Sequence, residues 1–143
     1  MSMIRRHTIH DAIVEEVSSW PGVTTGTHRF GGTEFRYGRR ELGHLHDSRL
    51  ADLPFPLLVR DDLVATGRAE AHHIHPESGW VSFFIRDDTD VARVIALFRM
   101  NYDRLWTKAA AGGPDSSAVS ATSPSSSWTC TSVRVLFRRT CSA

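Results

Sequence analysis

Glu41-x-x-His44-x-His46 is the segment of this chain whose residue types carry the most chemistry. An imidazole titrates near neutral pH, so it can take or give a proton, and in its neutral form it ligates metals. On a regular strand His44 and His46 share a face with Leu42, while Glu41, Gly43 and Leu45 share the other. Glu41 stands three residues from His44, a separation expected to point it away. His72, His73 or His75 can add a third nitrogen if their segment pairs nearby. Three nitrogen or oxygen ligands with an open position would suit zinc or non-haem iron. The spacing matches no known metal pattern, the helical H-E-x-x-H included. The expectation is therefore a site with no metal and no cofactor.

In that expectation His44, His46 and Glu41 form the catalytic group, and His72, His73, Arg68, Phe55 and Trp80 hold the ligand. A histidine would take a proton from an enol or phenol. Glu41 or Asp52 would orient the imidazole, and Arg39, Arg40 or Arg68 would hold the oxyanion. The competing expectation is structural, with half-buried histidines bonded to backbone or carboxylates. Phe35, Tyr37, Phe55, Trp80, Phe83 and Phe84 divide between core and cleft by strand alternation.

The elements that must position these groups read as α+β. Ile9, Ile13, Val17 and Trp20 form one helical stripe, with Thr8 as N-cap and Pro21-Gly22 as the stop. Strands are expected over 23–30, 33–37, 41–46 and 80–85, with a brief one at 71–74. The two prolines of Leu53-Pro54-Phe55-Pro56-Leu57 suggest an edge strand or a connection. A short helix spans 59–66, with Gly67 just past its end. Asp87, Asp88 and Asp90 precede the strongest helix, whose stripe is Val91, Val94, Ile95, Phe98 and Tyr102. The fold expected is an antiparallel sheet of about four or five strands packed against the N- and C-terminal helices.

The 143 residues have the size of one domain, expected over 1–106. From Thr107 to Ser127 small and polar residues dominate, and residues 107–143 read as a low-complexity, disordered tail. Val133 to Phe137 alone resembles a strand there. Cys130 and Cys141 both lie in this tail, so the folded part can build neither a disulfide nor a cysteine-ligated zinc site. The formal net charge of +1 recruits neither nucleic acid nor an anionic membrane. With no apolar run long enough to span a bilayer and no signal-like N-terminus, a cytoplasmic location is expected.

Trp20-Pro21-Gly22-Val23, Phe30-Gly31-Gly32-Thr33-Glu34-Phe35, Glu41 to His46, Asp52 with Phe55, Gly67 to His73, and Pro76 to Phe83 followed by Asn101-Tyr102 occur in one order. In these motifs the segment from Trp20 to Tyr102 resembles the small bacterial luciferase-domain family, which is related to the domain of fungal luciferases. The fungal enzymes oxidise a hydroxylated pyrone with molecular oxygen and without metal or flavin, and a relative of theirs in chemistry as well as fold is expected to need neither. The fungal enzymes are larger and membrane-anchored, so light emission is not carried over. More loosely, Gly79-Trp80-Val81-Ser82 before a helix ending in Tyr resembles the double-wing domains of the YjbR type, some of which are proposed to bind DNA.

Three function classes follow. The first is a small-molecule-binding domain or a cofactor-free, oxygen-dependent enzyme acting on a hydroxy-aromatic or enol. The second is a nucleic-acid module, which requires Arg39, Arg40, Arg60 and Arg68 on one exposed face. The third is an interaction domain without catalysis.

Overall fold

A computed structural model describes residues 8–112. Helix α1 (Ile9–Ser18) starts where the sequence signals it. Thr8 Oγ1 accepts from Asp11 N at 3.1 Å, and Asp11 Oδ2 accepts from Thr8 N at 3.2 Å, a reciprocal capping box. Strands β1 (Val23–Thr27), β2 (Thr33–Tyr37), β3 (Arg40–His46) and β4 (Leu50–Pro54) follow. Helix α2 (Leu57–Ala65), β5 (Glu70–Ala71) and β6 (Trp80–Phe84) come next. A short 3-10 turn at Asp88–Asp90 leads into α3 (Val91–Ala111).

The six strands form one antiparallel sheet in the order β1-β2-β3-β4-β6-β5. That is one strand more than the upper expectation, because Leu50–Pro54 is a full member of the sheet. It lies between β3 and β6, not at an edge. Pro54 is its last residue, and a proline at a strand end removes no donor from the ladder's interior. The strand expected over 71–74 is only the two-residue β5, so His72 and His73 stand on the loop that follows it.

Helices α1 and α3 pack on each other and on one face of the sheet. Ile13, Val17, Phe35, Leu45, Leu53 and Phe98 are fully buried between them. Phe35 and Phe98 meet edge to face with ring centroids 5.1 Å apart. Helix α2 packs against β5 and β6. The α3 helix continues to Ala111, five residues beyond Trp106, because Lys108 and Ala109 to Ala111 favour helix. The rest of the expected tail, with Val133 to Phe137 and both cysteines, lies outside the described residues. Among the described residues no helix is long and apolar enough to cross a membrane.

Candidate functional site: a bulged strand and a buried aspartate

Antiparallel register builds the site. Glu34 of β2 lies opposite His44 of β3, His44 opposite Asp52 of β4, and Asp52 opposite Ser82 of β6. One row of polar side chains therefore crosses four neighbouring strands, on the face turned away from α1 and α3. Strand alternation sends the neighbours Leu45, Ala51, Leu53 and Val81 into the core.

Regular alternation fails at one point, and the site depends on that failure. Phe35 pairs with Gly43, but the next residue, Arg36, pairs with Glu41. Leu42 is thus an extra residue on β3, a β-bulge. The bulge turns Leu42 into the core beside Leu45 and returns Glu41 to the face of His44. His44 Nδ1 and Glu41 Oε1 are 2.7 Å apart. Leu42 accordingly does not share the face of His44, and Glu41 does, the reverse of the regular-strand expectation. Two groups hold the bulge. Asn101, fully buried on α3, donates from Nδ2 to Leu42 O at 2.9 Å. Gly43 has φ of 144°, and a Cβ there would lie 2.6 Å from Asp52 O.

Asp52 is completely buried. Its Oδ1 accepts from Ser82 Oγ at 2.6 Å, and its Oδ2 lies 3.1 Å from His46 Nε2. His44 Nε2 is 3.6 Å and His72 Nε2 is 3.7 Å from Oδ2, while His73 Nδ1 is 3.7 Å from Oδ1. A buried carboxylate is costly unless paired and hydrogen-bonded, and four imidazoles and a hydroxyl surround this one. Burial alone would raise the Asp52 pKa. The nearby His44 imidazole, the Ser82 hydrogen bond and the charge of His72 outweigh it and lower the pKa.

The histidines differ in charge for the same reasons. Burial works against the protonated form of His44, but Asp52 and Glu41 on either side push its pKa up to about 9. His72 goes the other way, because burial outweighs the attraction of Asp52 and the neighbouring histidines add to the lowering. The Nδ1 of His72 accepts from the backbone N–H groups of His75 at 3.0 Å and Ile74 at 3.3 Å. Its proton therefore sits on Nε2, the nitrogen facing Asp52. His73 closes a chain through its Nδ1, 3.1 Å from Ser82 Oγ.

A cleft of about 420 Å³ opens over this cluster. Trp80, Phe30 and Ile74 give it apolar walls, with Phe30 and Ile74 largely exposed at the rim. His28 lies over His44 with ring centroids 3.9 Å apart and the planes within 14°. Burial and the charge of His44 lower the pKa of His28.

Of the residues expected from the sequence, Glu41, His44, His46, His72, His73 and Trp80 line this one cleft. Phe55 does not, since it is buried in the core cluster. Arg68 lines a separate cavity of about 360 Å³ with Phe83 and Arg93. The arginine at the cleft is Arg29, whose Cζ lies 4.7 Å over the Phe30 ring, in place of Arg39 or Arg40. Of the four arginines that nucleic-acid binding would need together, Arg60 pairs with Asp61 at 2.9 Å, and Arg39 and Arg40 lie at the β2–β3 hairpin. Sequence reasoning missed His28 and Ser82. The Trp80-x-Ser82 alternation was a usable signal for Ser82, whereas nothing marked His28 once β1 was expected to run through it.

Residues 39–101 match the family model described as Luciferase domain. This stretch, from the start of β3 into α3, is similar to the family that the motifs resemble. It contains Glu41, His44, His46, Asp52, His72, His73 and Ser82, while His28 precedes it. No curated protein and no solved structure matches the chain.

Proposed function

We propose that this luciferase-domain chain binds a small hydroxy-aromatic or enol molecule in the Asp52 cleft and ionises its hydroxyl there. The observation that carries the reading is the contact of 3.1 Å between His46 Nε2 and Asp52 Oδ2 at the floor of a partly apolar cleft. Asp52 accepts the Nε2 proton of His46 and leaves Nδ1 as the basic nitrogen, so the aspartate orients and His46 is the base. His44, protonated between two carboxylates, supplies positive charge beside the developing anion. This assigns different jobs to two histidines that look interchangeable in the sequence. Trp80 and the exposed Phe30 would stack on the ring of the ligand.

The ligand O–H bond breaks, the proton goes to His46 Nδ1, and the electron pair stays on the ligand oxygen. The anion is electron-rich and open to oxidation by molecular oxygen, the co-reactant that the family resemblance implies. The cleft volume suits one small aromatic molecule.

Triacetic acid lactone, a simple hydroxypyrone, is a direct probe. Calorimetric titration should give one site per chain. His46→Ala and Trp80→Ala should each weaken binding about tenfold or more, roughly 1.4 kcal/mol. Arg68→Ala should leave binding unchanged, because Arg68 belongs to the other cavity. Equal affinity in wild type and His46→Ala would refute the assignment.

A further inference from the structure

We propose that His44, His46 and Asp52 together form a binding site for a divalent first-row transition metal ion, with open coordination positions facing the cleft. The inference goes beyond the ligand reading and stands independently of it, since an ion can enter whether or not an organic molecule binds.

The donor set is two imidazoles and one carboxylate, the combination that leaves several positions of a metal open to substrate and oxygen. Distances fit. His46 Nε2 and His44 Nε2 lie 3.1 Å and 3.6 Å from the same oxygen, Asp52 Oδ2, and the three donor atoms are within 4.8 Å of one another. Metal–ligand bonds of about 2.0–2.1 Å separate neighbouring donors by roughly 3.0 Å in an octahedron and roughly 3.4 Å in a tetrahedron. The two distances to Asp52 Oδ2 therefore lie within tenths of an ångström of those separations, and the imidazole nitrogens lie within 4.8 Å of each other.

The supporting groups are those a metal site requires. A ligating histidine usually gives its other ring N–H to a carboxylate, which fixes the tautomer and raises basicity. His44 does this, with Nδ1 at 2.7 Å from Glu41 Oε1, so an ion that displaces the Nε2 proton finds a lone pair there. Asp52 has Oδ1 occupied by Ser82 Oγ at 2.6 Å, which leaves Oδ2 for coordination. His72 serves as the internal contrast. Its Nδ1 accepts two backbone N–H groups, so its Nε2 carries a proton and cannot ligate as a neutral imidazole. Of the two other trios among the described residues, Asp52, His72 and His73 therefore lack a donor, and His28, Glu41 and His44 draw on the same His44. The bulge at Leu42 also removes the sequence objection to a metal, because Glu41 orients His44 without being a ligand.

With an ion bound, the shared centre changes character. The metal takes the place of the proton that His46 Nε2 otherwise gives to Asp52, and the ion supplies the positive charge for an anionic oxygen in the cleft.

The test is titration of the full chain, stripped with EDTA and dialysed, with Co²⁺ and Zn²⁺ and with no organic ligand present. The expected result is one ion per chain, visible for Co²⁺ as ligand-field absorption without a sulfur-to-metal charge-transfer band. His46→Ala and Asp52→Asn should weaken affinity at least 100-fold, Glu41→Gln about 10- to 100-fold, and His72→Ala should keep the stoichiometry. Circular dichroism of each variant separates lost binding from lost folding, and Glu41→Gln, which keeps size and shape, is the variant to rely on if Asp52→Asn does not fold. Absence of binding, undiminished affinity in folded His46→Ala, loss of the site in folded His72→Ala, or a thiolate band pointing to Cys130 and Cys141 would overturn the proposal. Hydroxypyrone titration in EDTA reports on the ligand reading alone, so the two can fail separately.

Discussion

Asn101 sits 59 residues from Leu42 in sequence, yet its side chain bonds the Leu42 carbonyl at the bulge that turns Glu41 toward His44. Replacing it with leucine, close in size and without a donor, isolates that role. The Leu42 carbonyl then loses its hydrogen bond in the buried core, which costs about 1–3 kcal/mol. Arg104, which donates to Asn101 Oδ1 at 3.0 Å and 2.7 Å, is partly exposed, and water replaces most of that contact. A net loss of about 2 kcal/mol is expected, or a fall in Tm on the order of 10 °C for a domain of this size. Urea unfolding followed by circular dichroism measures it. A second readout tests the mechanism. Relaxation of the bulge should free Glu41 from His44 and move the His44 Nδ1 proton resonance, whereas Phe98→Leu, an ordinary core lesion, should destabilise without moving it. The reasoning is refuted if Asn101→Leu stays within about 0.5 kcal/mol of wild type, or if it destabilises while the His44 resonance is unchanged.

Charge at His44 makes stability depend on pH in the metal-free protein. Its folded pKa of about 9 lies above the ordinary 6.5, so the stabilisation is full below pH 6.5 and is lost as pH rises through 9. Wild type should lose about 2 kcal/mol between pH 7 and pH 9, and Glu41→Gln should be less stable at pH 7 but close to wild type at pH 9.5. Equal destabilisation at both pH values would contradict this. Gly43→Ala should cost about 3 kcal/mol or more in chemical unfolding, because its Cβ would meet Asp52 O, Leu53 and Phe98. Gly26→Ala, with nothing within 4 Å, should be close to neutral.

How much of this was legible depends on whether a feature is local. Helix α1 was readable because its stripe, its Thr8 cap and its Pro-Gly stop lie within a dozen residues. The same holds for the strand from Trp80 and for the start of α3. Two departures came from reading proline and alanine too strictly. Pro54 ends β4 without interrupting it, and the alanines after Lys108 extend α3. The histidine cluster was legible as composition but not as geometry. The bulge at Leu42 needs a partner strand on one side and Asn101 on the other, and neither contact is written into residues 41–46. Phe55 and Arg68 lie away from the cleft, which their types could not tell, because an aromatic or an arginine has the same type in a core, on a surface or in a cleft. Asp52 was one of two carboxylates expected to orient an imidazole, but its burial among four imidazoles follows only from the register of β3, β4 and β6.

Long-range ¹H–¹⁵N NMR of the imidazole nitrogens, recorded while triacetic acid lactone is added in EDTA, tests the central claim that the Asp52 cleft is the functional site. The nitrogens of His44 and His46 should move together along one saturable isotherm as His46 Nδ1 gains a proton, with His10 on α1 unaffected. Unchanged His44 and His46 resonances at saturating probe, or shifts confined to histidines outside the cleft, would contradict the account.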